Sequence, residues 1–323
     1  MIKISNKKVN KIKKSNIEFI NEKEDYAIII ETKYNSAIVL YENELLEVTL
    51  SKSIKGIINK ILFSGDKVIL EDSKITGIIK RKNILSREKY DSTKLNDIGV
   101  KKIIATNIDI AIIVVAANEP PLHPKFIDRY MILLNNSNIP FIICINKCDL
   151  LSKKEEKTIK LYESLGIKII KTSTYNKSGI EELKNVLNSK QAIFVGHSGV
   201  GKSSLINTIL NESDIKTGSL GNKTKKGCHT TTSSTYYKWN ENSGVIDTPG
   251  IRSLDLSNYK VEDIKNSFEE FIPYNNLCKY KNCNHNTEPV SFCMIKKQVI
   301  NGTISKERYE SYLKIINEIK RKW

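Results

Sequence analysis

Gly196-His197-Ser198-Gly199-Val200-Gly201-Lys202-Ser203 decides how this 323-residue chain is read. The short apolar run Ala192–Val195 precedes it, and Lys202–Leu210 continues it with a helical pattern. Strand, glycine-rich turn and helix, in that order, are the setting a phosphate loop requires. The glycines let backbone N–H groups turn inward around phosphates, and the helix N-terminus adds partial positive charge. Lys202 is placed to bridge β- and γ-phosphates, and Ser203 to ligate Mg²⁺. Ser204 extends this nucleotide-binding stretch. His197 reads as a spacer whose backbone matters.

Two further elements serve the same ligand. Asp247-Thr248-Pro249-Gly250 follows the strand-like Gly244–Ile246. A carboxylate at Asp247 can hold Mg²⁺, and the Gly250 N–H can reach a γ-phosphate. Asn146-Lys147-Cys148-Asp149 follows the β-branched run Phe141–Ile145. A carboxylate at Asp149 accepts from guanine N1 and N2, which adenine cannot match, so the expected nucleotide is GTP. Thr172-Ser173-Thr174 is a weaker match to the loop that backs the base, which adds Ser173 and Thr174. The order is unusual. An ordinary GTPase runs phosphate loop, switch, Asp-x-x-Gly, then Asn-Lys-x-Asp. Here the base-reading element comes first, as a circularly permuted chain would place it.

Working outward, Ile108–Ala116, Phe141–Ile145 and Ile167–Lys171 alternate with helical patterns at Lys125–Asn135 and Ile180–Leu187. That alternation predicts a doubly wound α/β domain. Upstream lie five short β-rich runs: Ala27–Glu31, Ala37–Tyr41, Leu45–Leu50, Lys67–Glu71 and Ile75–Ile79. They predict a small barrel, with the OB-fold as the natural candidate. Tyr26, Tyr34, Tyr41 and Phe63 are candidates for stacking on bases. From about residue 258 the chain turns helical and Cys-rich. Ile304, Tyr309, Leu313, Ile316 and Lys320 mark an amphipathic tail helix. The expected divisions are residues 1–82, 83–256 and 257–323.

The chain carries 52 Lys+Arg against 36 Asp+Glu, a net charge of +16. Only six of the 52 are Arg, so part of the excess reflects a Lys-rich composition. The shortage of acids still points to a polyanionic partner, with nucleic acid favoured. Residues 1–20 hold six Lys and one Glu, which suggests an RNA-facing arm. No secretory signal is visible. The longest apolar run, Ile110–Ala117, is far short of the roughly 20 residues that span a bilayer. A cytoplasmic monomer with no membrane association is expected, and its cysteines are then thiols or metal ligands. Cys278-x4-Cys283-x-His285-x7-Cys293 supplies three thiolates and one imidazole. That set suits one closed, structural zinc per chain.

Together these residues resemble the circularly permuted, small-ribosomal-subunit-dependent GTPases of the RsgA/YjeQ type. The resemblance rests on the motif order, the phosphate loop, Lys226-Gly227-Cys228-His229-Thr230-Thr231-Thr232, Asp247-Thr248-Pro249-Gly250, the Cys/His cluster and Arg308-Tyr309-Glu310-Ser311-Tyr312. It implies an N-terminal OB-fold, a permuted GTPase domain and a C-terminal helical zinc domain. It also implies binding to the 30S subunit and its rRNA, late 30S maturation and release of assembly factors. Two departures stand out: Cys228 replaces the family's usual Arg or Gln, and the His285–Cys293 spacing is looser.

Ile251 follows Asp247-Thr-Pro-Gly, where many GTPases place a water-orienting Gln. Ile cannot do this, so hydrolysis needs another group. His229 can position water or stabilise developing charge, and the resemblance assigns the matching His a catalytic part. Thr230 and Thr231 flank it, with Thr231 the favoured Mg²⁺ ligand of the switch. The rival readings are a phosphate-loop kinase, which Asn146 and Asp149 disfavour, and a nucleotide-regulated RNA-binding module, which Ile251 allows. A large-subunit or tRNA GTPase is the third. Permutation also carries the Asp247 segment directly into the Cys/His module, coupling the two along the chain.

Overall fold

In a computed structural model of the chain, the described residues are 19–20, 25–51, 62–86, 103–211, 235–240, 242–248, 254, 256 and 258–320. The first strands are β1 (Phe19–Ile20), β2 (Ala27–Thr32), β3 (Ala37–Tyr41), β4 (Glu44–Leu50), β5 (Lys67–Glu71) and β6 (Lys74–Ile79). Strands β2 to β6 close in the order β2-β3-β4-β6-β5 and back to β2. Only the β4–β6 pairing within that ring is parallel. This is the OB-type five-stranded barrel, and closure removes the open edges a short sheet would expose. Ala27, Ile29, Ala37, Val39, Val48, Val68, Ile75 and Ile78 fill it. Phe63 is buried under the Arg81 guanidinium, so it is not a base-stacking residue. Tyr26 lies under the Lys67 ammonium, whereas Tyr34 stands out at the surface.

A two-stranded ladder, β7 (Ile84–Ser86) with β8 (Ile103–Thr106), joins barrel to sheet. Asp66 at the joint is fully buried and accepts from Arg81 Nε and Thr106 Oγ1, both at 2.7 Å. The second sheet holds β9 (Ile110–Ala116), β10 (Phe141–Asn146), β11 (Ile169–Lys171), β12 (Gln191–Val195), β13 (Thr235–Asn240) and β14 (Ser243–Asp247). Its order is β11-β10-β9-β12-β14-β13, parallel except for β13. Every residue of β9 is buried, which explains its unbroken apolar run. The chain leaves β9 through β10 and β11 on one side, then returns to β12 on the other. Such a switch point opens a crevice at the carboxyl ends of the strands. Phe194 of β12 pairs with Asp247, and Asn146 pairs with Ala116 of β9. The elements separated by permutation therefore reconverge at one sheet edge.

Among the described residues, four helices accompany the sheet: α1 (Pro124–Asn136), α2 (Lys153–Ser164), α3 (Ile180–Leu187) and α4 (Lys202–Asn211). The C-terminal part adds α5 (Val261–Asn266), α6 (Ile272–Asn275), α7 (Met294–Ile300) and α8 (Lys306–Lys320). The buried line of α8 is Arg308, Ser311, Tyr312, Ile315, Ile316 and Ile319. That differs by about one position from the stripe expected through Tyr309 and Leu313. The cause is Arg308, which hydrophobic spacing passes over. Its guanidinium pairs with Asp128 of α1 and, at 2.7 Å, with Glu270. Among the described residues, no helix is long and apolar enough to cross a membrane.

Candidate functional site

The phosphate loop leaves β12 at Gly196 and enters α4 at Lys202. Two of its glycines are required by close approach. A Cβ on Gly196 would lie 2.2 Å from Val114 O. Gly201 has φ +90°, and a Cβ there would lie 2.3 Å from Asn146 Nδ2. Asn146 uses that proximity, because its Nδ2 donates to Val200 O at 2.9 Å. Its Oδ1 accepts from Thr172 Oγ1 at 3.3 Å. The residue assigned to base reading thus braces the phosphate loop against the base-side loop.

Lys202 is buried and, among the described residues, donates to two neutral carbonyls, Gly196 O at 2.8 Å and His197 O at 2.9 Å. Burial lowers its pKa, with Asp247 opposing. Burial likewise raises the Asp247 pKa, against the pull of Lys202 and Ser203. Ser203 Oγ donates to Asp247 Oδ2 at 3.3 Å, and Asp247 Oδ1 is buried without a hydrogen-bond partner. Among the described residues, an ammonium with no ion pair and a carboxylate with a spare oxygen stand near one another. A polyphosphate with a divalent cation would satisfy both. Thr248 Oγ1 fixes the segment by donating to Phe194 O at 2.8 Å.

Asp149 Oδ1 accepts from Ser173 Oγ, so the Thr172-Ser173-Thr174 loop reaches the carboxylate expected to read the base. The Tyr175 and Asn176 amides donate to the same Ser173 oxygen. Lys147 Nζ donates to Glu119 O, and Cys148 Sγ lies 3.3 Å from Ser178 Oγ. The structure therefore brings Asn146, Lys147, Cys148, Asp149 and Ser173 together. It joins them through Asn146 to the stretch from Gly196 to Ser204. His229, Thr230, Thr231 and Gly250 lie outside the described residues, as do Cys228 and Ile251.

The Cys/His cluster also assembles. The ligand atoms of Cys278, Cys283, His285 and Cys293 all lie within 4.8 Å of one another. His285 Nδ1 sits 3.7 Å from Cys278 Sγ and 3.4 Å from Cys293 Sγ. Tetrahedral zinc with ordinary bond lengths would put nitrogen and sulfur about 3.6 Å apart. His285 Nε2 faces Asn275 Oδ1 at 3.0 Å, an acceptor that fixes the ring with Nδ1 toward the thiols. Burial pushes the His285 pKa down to about 4 and that of Cys283 up to about 12. A neutral imidazole ready to ligate, grouped with three thiols at metal-binding separations, fits a metal ion.

The helix expected at Lys125–Asn135 is present as α1 (Pro124–Asn136), and it has a role the sequence did not show, because it ties these sites together. The Tyr130 hydroxyl on α1 shares a hydrogen bond with the Gly196 backbone. The Phe126 ring lies 5.1 Å from the His197 ring. Tyr309 and Tyr312 hydroxyls donate to His285 O at 2.6 Å and Asn284 O at 2.8 Å, holding the metal loop against α8. The Arg-Tyr-Glu-Ser-Tyr segment was the available signal, but nothing local revealed its partner Asp128.

Fold and site together define a phosphate-loop GTPase with circularly permuted motifs. An RsgA GTPase family model matches residues 78–257. A small ribosomal subunit biogenesis GTPase RsgA from Borreliella burgdorferi is 40% identical over 261 residues, covering 80% of each chain. One of the same name from Alkaliphilus metalliredigens is 32% identical, covering 84% of this chain and 97% of its own. Among solved structures, YjeQ from Thermotoga maritima superposes with a TM-score of 0.71 at 29% identity, covering 91% of this chain and 98% of that one. The circularly permuted GTPase YloQ gives 0.66 at 26% identity, covering 93% and 96%. The chain belongs to the RsgA GTPase family and is a GTP-hydrolysing enzyme.

Proposed function

We propose that this GTPase acts in biogenesis of the small ribosomal subunit, binding the 30S particle and its rRNA and timing late maturation and assembly-factor release by GTP hydrolysis. The observation that carries this reading is the combination on one chain of an OB-type barrel, a permuted GTP site and a Cys₃His cluster. Relatives named for that process match 80% of its length. A net charge of +16 supports an RNA partner. The working division is barrel and basic arm at 1–82, GTPase at 83–256 and metal-bearing helices at 257–323. The protein acts as a cytoplasmic monomer without membrane association. Turnover rises on the subunit.

Within the site, backbone amides from Gly196 to Ser204 cradle the phosphates, and Lys202 bridges β and γ. Asn146 and Lys147 shape the base pocket, Asp149 reads guanine, and Ser173 and Thr174 back it. Ser203, Asp247 and Thr231 would hold magnesium, which supplies neutralisation of phosphate charge when bound with GTP. Gly250 senses the γ-phosphate. His229 positions the attacking water in place of the absent Gln, with Thr230 beside it. His229→Ala should retain nucleotide affinity but lose subunit-stimulated turnover, by about 10²-fold for a lost general-base or charge-stabilising group. Single-turnover assays with purified small subunits check this, and undiminished stimulation would remove His229 from the mechanism.

The Cys278, Cys283, His285 and Cys293 group would hold one structural zinc, leaving no open position for substrate. Metal analysis should find about one zinc per chain, and Cys293→Ser should lose it and melt at a lower temperature. A stoichiometry near zero after gentle purification of the unsubstituted chain would refute the site.

A further inference from the structure

Leu254 and Leu256, which come after Asp247-Thr248-Pro249-Gly250 in the chain, are held by residues outside the nucleotide motifs. Arg129 Nη2 donates to Leu254 O at 2.6 Å. The other terminal nitrogen of the same guanidinium donates to Glu318 on α8, and Lys125 pairs with that carboxylate too. Arg129 is mostly buried, at 17% side-chain exposure. Leu254 and Leu256 sink into the same apolar cluster as Ile315, Ile316 and Ile319 of α8. A guanidinium fork can serve two acceptors in fixed directions, which a Lys ammonium does not reproduce.

The helix that carries Arg129 is itself moored to the phosphate loop. Tyr130 meets the Gly196 backbone, and Phe126 meets His197. One turn of α1 therefore offers a fixed reference against which Leu254 can shift. Asp128, on the same turn, pairs with Arg308. One and four residues after Arg308, Tyr309 and Tyr312 hold the metal loop through the His285 and Asn284 carbonyls.

We propose that Arg129 is a positioning residue that couples Leu254 to α8, so that nucleotide state and the conformation of the metal-bearing region report on each other. Among the described residues, its hydrogen bonds go to Leu254 and Glu318, outside both the nucleotide motifs and the Cys/His cluster. Its effect is a bias on a shared packing arrangement, and coupling of this kind is reciprocal.

The test uses the full chain, loaded with GDP or with a non-hydrolysable GTP analogue, and reads amide hydrogen exchange over residues 306–320. The unsubstituted protein should show different protection in the two states. In Arg129→Lys, and separately in Glu318→Gln, that difference should shrink at least about fivefold, with GDP affinity and metal content retained. An undiminished difference in both variants, or no difference in the unsubstituted protein, overturns the proposal. Loss of GDP affinity in both variants does so as well, because Arg129 would then be a plain support of the nucleotide site. A second arm, resting on the small-subunit reading, measures GTP turnover with and without small subunits. Arg129→Lys should keep basal turnover and lose about tenfold of the stimulation. If the unsubstituted protein is not stimulated, the small-subunit reading fails while the exchange result still decides the coupling.

Discussion

Lys202→Ala lowers kcat/KM for GTP by about 10²- to 10³-fold, the scale for removing one preorganised charge from a phosphoryl-transfer site. The ammonium is buried, donates to two loop carbonyls, and has its pKa lowered by that burial. A charge kept out of water and hydrogen-bonded to neutral carbonyls has much to gain from a phosphate group. Replacing it with a methyl group removes that gain and leaves the Gly196 and His197 carbonyls without their donor. The loss should fall on kcat as well as KM, because charge on the γ-phosphoryl oxygens shifts along the reaction. Steady-state turnover over a range of GTP concentrations checks this. A variant within threefold of the unsubstituted enzyme would mean that Lys202 does not face the phosphates.

Asp149→Asn should be nearly as costly for GTP and should change the preferred nucleotide. Two hydrogen bonds to a carboxylate are worth roughly 1.5–3 kcal/mol each, so GTP affinity should fall by about 10²-fold or more. An amide at this position can donate to a 2-oxo group where the carboxylate accepted from a 2-amino group. Xanthosine triphosphate should therefore gain what GTP loses. Ser173 Oγ, which donates to Asp149 Oδ1, can still donate to the Asn carbonyl, so the pocket keeps its shape. Competition binding with the two nucleotides gives the answer. Equal weakening for both would show that Asp149 supports the loop without reading the base.

The nucleotide site was legible because its chemistry is local. Phosphate binding needs strand, glycines and helix within a few residues, so Gly196 to Ser203 could be placed from sequence, and Asn146 to Asp149 likewise. The barrel was legible through alternation: the strands at Ala37–Tyr41 and Lys67–Glu71 have the expected bounds. Helix Lys153–Ser164 escaped notice because only Ile159 and Tyr162 are buried on a Lys/Glu-rich face. Edge strand Thr235–Asn240 was missed because its apolar Tyr236 and Trp239 do not alternate strictly. The face of α8 was misjudged because a buried Arg308 counts as polar in any hydrophobic pattern. Its partner Asp128 lies 180 positions away, and only the fold brings the two together. The bracing role of Asn146 was hidden for the same reason, since Val200 is distant in sequence and adjacent in space.

Hydrolysis by this GTPase is proposed to depend on the small ribosomal subunit. The most direct measurement is GTP turnover by the full chain alone and with purified small subunits, large subunits or naked rRNA. Slow turnover alone and stimulation by small subunits only is the predicted result. Turnover that is the same under all four conditions, or stimulated equally by large subunits or free RNA, would contradict it.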